Sequence, residues 1–343
     1  MLRKNKIVLA IVLAAVLLLI AVPSFVKGQY ELGILISVFL QLVLVSSLYL
    51  IFTTGQMSIA HAAFMGIGAY AAGALVTKLG LSFWLAWPLS GLAAGTIAVL
   101  IGLPTLRLAG VYFFLSTFAF GQAITLFFSN EFENVFGGLR GMTNIPVPNA
   151  ISVGSLFSID FSQSRIPFYY LALGLMLFGV IVCWQLQRCR IGMIFKSIAM
   201  APSLSQHLGI RLLNYKVLAF AIGCLMAGMV GGFHAHYQYV ILPTDFTFDR
   251  SLQTLIYMVV GGMGTFIGPL SGASILTLVY ERLNSFPVYR AILFGVVLLA
   301  VMMFLKEGLV SLPRTLWSMA RPAQQRRRPS ENVDIGISDG GRK

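Results

Sequence analysis

Long uncharged apolar runs alternate with short polar segments along this chain. Runs of spanning length occupy 7–26, 32–53, 83–103, 111–129, 168–187, 217–237 and 288–305, the last with Arg290 near its start. About 20 such residues carry a helix across the hydrocarbon core, so each run predicts one crossing. The run at 60–77 is also uncharged but rich in Ala and Gly. Ser251 to Tyr280 is uncharged too, is too long for one straight span, and is interrupted by "GGMGTFIGP". Gly-Gly-x-Gly followed by Pro269 breaks a helix. The stretch therefore predicts two shorter helices, 251–262 and 267–281, meeting at the break. The expected fold class is all-α: a polytopic membrane protein of about ten membrane segments, including a broken or re-entrant pair.

Composition strengthens that reading. Only 10% of the 343 residues are charged, against about 25% in a soluble domain, and mean hydropathy is +0.86. The net charge of +13 raises the question of nucleic acid, but the basic residues sit between apolar runs and not along one face. That placement fits the cytoplasmic bias of Lys and Arg, and nucleic-acid binding is set aside. Cys183, Cys189 and Cys224 have no metal-like spacing and read as small packing residues. The start, "MLRKNKIVLAIVLAAVLLLIAVPSF", resembles a signal peptide. Its apolar run is long and no small-x-small site follows, so an uncleaved first membrane helix is expected.

Basic residues set the expected orientation. Arg3, Lys4 and Lys6 precede the first run, Arg188, Arg190, Lys196, Arg211 and Lys216 surround the segment 190–210, and eight Lys or Arg follow residue 305. With both termini inside, these and Arg107 place 17 of the 24 basic residues in the cytoplasm and seven of the eleven acidic residues outside, as the positive-inside rule asks. The expected organisation is a transmembrane domain over 1–312, with an outer loop at 130–167, and a disordered basic cytoplasmic tail at 313–343. The tail's "RRRP" is a solvated charge cluster that could also touch anionic lipid.

Candidate chemistry is sparse. Small residues recur four apart at Ala62/Gly66, Ala69/Gly73, Gly91/Gly95, Gly228/Gly232 and Gly264/Gly268/Gly272, which lets helix backbones approach closely. The break at 261–269 reads equally as part of a substrate path or as a structural hinge. His234 and His236 are two apart and point away from each other on a helix. Asp245 and Asp249 fall in an expected loop. His61 is expected to hydrogen-bond a neighbouring helix. The membrane runs contain no acid, which weakens an ion-driven mechanism. No Gly-x-x-x-x-Gly-Lys-Ser/Thr loop is present, so ATP is not expected to bind here in that way.

Six stretches in order carry a resemblance: "GQMSIAHAAFMGIGAYAA" (55–72), "RLAGVYF" (107–113), "GGLRGMTNIP" (137–146), "LGIRLLNYKVLAFAIGCLMAGMVGG" (208–232), "VVGGMGTFIGPLSGA" (259–273) and "FLKEGLVSL" (304–312). From about residue 30 to 313 the chain resembles the branched-chain amino-acid ABC-transporter permeases of the LivM type. The resemblance implies a non-enzymatic subunit of a bacterial inner-membrane importer. Its partners would be a second homologous permease, two cytoplasmic ATPases that bind ATP and Mg, and a periplasmic substrate-binding protein. It also implies a cytoplasmic coupling segment at 190–210, here carrying Ser197, Met200, Ala201, Pro202, Ser203, Gln206, His207 and Gly209.

The chain departs from the family pattern at the expected basic–acidic pair, where Ala199 and Met200 stand. Leu204, Ser205 and Gln206 replace Ala-Ala-Glu, and Gln122 replaces a Glu after Phe-Gly. For the path itself, Gly261, Gly262 and Gly264 are candidates for backbone shape and Thr117, Gln122 and Tyr257 for polar lining. Each could equally be a packing contact. A urea or short-amide permease on the same scaffold, and an autonomous facilitator, remain the alternatives.

Overall fold

The computed structural model describes residues 14, 16–24, 28–130, 136–148, 151–153, 157–159, 161, 164–283, 289, 292–296, 299 and 303. The tail at 313–343, the start of the 7–26 run and most of the 288–305 run lie outside the described residues.

Among the described residues, five helices are long and apolar enough to cross a membrane: α1 (Gln29–Phe52), α3 (Phe83–Thr105), α4 (Val111–Asn130), α5 (Ile166–Arg188) and α8 (Leu212–Gln238). Between them lie α2 (His61–Thr77), α6 (Arg190–Met200) and α7 (Pro202–His207), and after them α9 (Phe248–Gly261) and α10 (Ile267–Arg282). The one sheet among the described residues is a two-stranded antiparallel ladder, β1 (Ile151–Val153) with β2 (Phe157–Ile159). The architecture is otherwise helical.

α1 is buried all round from Val38 to Ile51, as expected of a helix enclosed by others. α3 runs antiparallel to α8: Phe83 meets His236 near one end, and Gly102 faces Phe220 near the other. The small residues make this closeness possible. A Cβ on Gly68 would collide with the backbone of Gly228, and one on Gly228 would meet Ala94 Cβ at 2.5 Å. Trp87 Nε1 then donates to the Met229 carbonyl at 2.8 Å.

The chain turns back inside the bundle more often than the sequence suggested. After α1, the segment 53–60 folds inward, so that His61 Nε2 lies 2.7 Å from Ser47 Oγ. α2 therefore begins at a level about 8 Å short of the end of α1. On the opposite side, the chain after α8 dips inward through a 3-10 turn at Pro243–Phe246, and Phe246 packs on Gly66.

α9 and α10 form the expected broken pair, with boundaries close to 251–262 and 267–281. Their junction lies at the α6 end of the bundle, where Tyr49 Oη donates to the Met263 carbonyl at 3.2 Å. Gly262 holds φ 104° there, a conformation glycine adopts at no steric cost. A Cβ on Gly268 or Gly272 would strike the α9 backbone, whereas Gly264 has nothing within 4 Å. The close-packed series is thus Gly261, Gly268 and Gly272.

Candidate functional site

Helix ends buried inside a bundle leave N–H groups that need partners, and side chains from distant segments supply them. Ser251 Oγ accepts the Ala62 N–H at 2.9 Å, and Thr117 Oγ1 accepts the Ile59 N–H at 3.3 Å. Gln41 Nε2 donates to Thr254 Oγ1 at 3.1 Å. Gln41 sits halfway along α1, so Thr254 marks the middle depth of the bundle.

That register corrects the placement of Asp245 and Asp249. The sequence put both in a loop and found no acid within the membrane runs. Asp249 and Arg250 instead occupy the first turn of α9, and Arg250 is one turn, about 6 Å, from Thr254. Asp245, Asp249, Arg250, Gln253, Thr244 and Thr247 line a cleft of about 770 Å³. Asp245 Oδ2 accepts the Leu242 N–H at 3.3 Å. Arg250 Nε is buried and has no hydrogen-bond partner among the described residues. An ionised Asp or Arg at mid-membrane costs about 2.5–3.5 kcal/mol on insertion scales. Three such groups are therefore suited to a protein or water-filled face and not to acyl chains.

None of the path residues named from sequence lines this cleft. Tyr257 is buried, and its hydroxyl accepts from Gln253 Nε2 at 2.6 Å, directly behind the cleft wall. Thr117 is buried and committed to the inward-folded segment. Gln122 is exposed on α4. Gly261 and Gly262 shape the α9–α10 turn, and Gly264 lies exposed within it. The sequence reading missed Arg250. The available signal was an arginine one residue before an apolar run, next to Asp249.

The segment 190–210 forms a compact structure at the other end. Gly192, Phe195 and Ile198 make the buried face of α6. Phe195 packs with Leu50 of α1, Cys183 of α5 and Ala219 of α8, and Phe266 beside α10 joins this cluster. Ala201 breaks the helix, and Pro202 starts α7 at a position where a missing N–H costs nothing. Ser205 Oγ ties α7 back to the Ala201 carbonyl at 3.0 Å and to Ser197 Oγ at 3.3 Å. Met200 is 87% exposed, Leu208 74% and Leu204 60%. Ala201 is half-buried, and Pro202, Ser203, Gln206, His207 and Gly209 are exposed. Arg107, Arg188, Arg190, Lys196, Arg211 and Lys216 lie at this end or in its flanks, and 53–60, 105–111 and 188–216 hold no acidic residue.

Several apolar helices of spanning length, a polar centre and a charged cleft at depth define a multi-pass helical membrane protein. Residues 30–305 match the profile of the branched-chain amino acid transport system permease component, and the chain belongs to that family. It is 29% identical over 283 residues to the high-affinity branched-chain amino acid transport system permease protein LivM of Salmonella typhimurium. Identity to the Escherichia coli protein of that name is also 29% over 283 residues. Each alignment covers 76% of this chain and 65% of the relative, so the chain spans just under two thirds of the length of the curated relatives it matches. No solved structure matches the chain.

Proposed function

We propose that the chain is the permease subunit of an ATP-driven importer that carries branched-chain or related amino acids across a bacterial inner membrane. The observation that carries this reading is the α6–α7 segment. Its buried face is keyed to three membrane helices through Phe195 and Ile198, while Met200, Leu204 and Leu208 project from a surrounding of basic charge. Exposed apolar side chains at the polar end of a membrane bundle call for a protein partner. A cytoplasmic ATPase with an acidic-rimmed apolar groove suits this surface. The basic charge fits a cytoplasmic location, and charge complementarity would favour encounter.

In this mechanism, closure of the ATPases pushes on α7 and α6. Phe195 transmits the displacement to α1, α5 and α8, and Phe266 carries it to the α9–α10 hairpin. The outer side then opens to a substrate-loaded binding protein, with a second homologous permease completing the path. Both termini lie on the ATPase side, and ATP and Mg are held by the ATPase.

The test is purification from membranes in mild detergent, which should bring down a separate ATPase and a second permease. Replacing Met200, Pro202 and Gln206 together by bulky charged residues should abolish substrate-stimulated ATP hydrolysis. Undiminished transport by that variant would sink the coupling role.

A further inference from the structure

We propose that the cleft at the start of α9 holds the head group of a zwitterionic α-amino acid in transit, with Arg250 taking the carboxylate and Asp249 the ammonium. This inference rests on the permease reading above and adds a site to it. Three independent features converge. The cleft, about 770 Å³, is of the size that small-molecule sites occupy. It lies near the middle depth of the bundle, fixed by the Gln41–Thr254 and Ala62–Ser251 hydrogen bonds. It also presents both signs of charge to one space. A planar guanidinium matches a carboxylate through paired N–H donors, and Arg250 lines the cleft; its Nε is enclosed without a partner among the described residues, so the terminal Nη groups are the donors a ligand can reach. Asp245 Oδ2 accepts a backbone N–H, whereas Asp249 is the more exposed carboxylate on the cleft and is assigned the ammonium.

The remaining lining fits the rest of such a molecule. Leu252, Ile256 and Phe294 give the cleft an apolar side against which an aliphatic chain can lie. Gln253, fixed by its bond to the Tyr257 hydroxyl, stands between the charged and apolar parts. A neutral amide or urea would leave Arg250 without a carboxylate, and desolvated ions without partners are costly. The site therefore discriminates in favour of free amino acids.

The experiment uses the complete transporter in proteoliposomes, with leucine and urea as separate probes, and reads leucine imported per ATP hydrolysed. Arg250→Gln should lower that ratio about 10- to 100-fold, the range that a lost charge-assisted hydrogen bond gives. Arg250→Lys should recover part of it, and Asp249→Asn should lower it likewise. Misfolding would reduce the amount of assembled complex isolated by gel filtration, and the ratio is measured only on assembled particles. A wild-type ratio in Arg250→Gln overturns the site. A wild-type complex that imports urea and not leucine overturns the site and leaves the permease reading standing. No ATP-dependent uptake of either probe by wild type contradicts the permease reading itself.

Discussion

Ser251 shows how a single hydroxyl positions two segments nearly 190 residues apart. It caps a buried helix start and sits beside Arg250. Ser251→Ala leaves the Ala62 N–H without its acceptor and should cost about 1–3 kcal/mol, read as a lower melting temperature of the purified protein in detergent. Gly228→Leu should be far more damaging, because Ala94 and the Ser90–Gly91 backbone leave no room for a side chain. Loss of monodisperse protein on gel filtration is the expected result. Much at this scale was legible in the sequence. His61 does bond a neighbouring helix, through Ser47, and the four-residue spacings at Gly91/Gly95 and Gly228/Gly232 do mark close helix contacts. Arg250 was not legible as a membrane-depth group. Pro243, Asp245 and Asp249 look like a loop until the inward 3-10 turn is seen, and that turn is stabilised by contacts with α2 that no local pattern encodes.

Among the elements, α6 buries one face against the bundle and exposes the other. Phe195→Ala would open a cavity where three helices meet α6, a type of loss worth about 3–5 kcal/mol in a packed core. The expected outcome is a complex that still captures its ATPase but imports less substrate for each ATP hydrolysed. Equal loss of ATPase capture and import would mean that Phe195 serves folding and not transmission. Element boundaries followed the apolar pattern closely, as in α9 and α10, because Gly and Pro terminate helices by local sterics. The inward fold of 53–60 had no such signal. Its "GQMSIA" is uncharged and carries no turn pattern that sets a direction, which depends instead on Ser47, Thr117 and Ser251 from three other segments. The broken pair was expected as a candidate for the path, yet its turn lies at the α6 end, and the charged cleft is at the opposite end of α9.

For the whole molecule, the charge distribution predicts an orientation. With the exposed Cys189 replaced by serine, a cysteine placed at Lys196 should react with a membrane-impermeant maleimide only from the cytoplasmic side, and one at Arg140 only from the outside. The reverse pattern would invert the topology and remove the coupling segment from reach of an ATPase. The central claim is that this chain moves an amino acid because an ATPase moves it. Uptake of radiolabelled leucine into proteoliposomes, with and without ATP, the ATPase and the binding protein, tests that claim most directly. The account predicts uptake only when all are present. ATP-independent flux through the chain alone would contradict it.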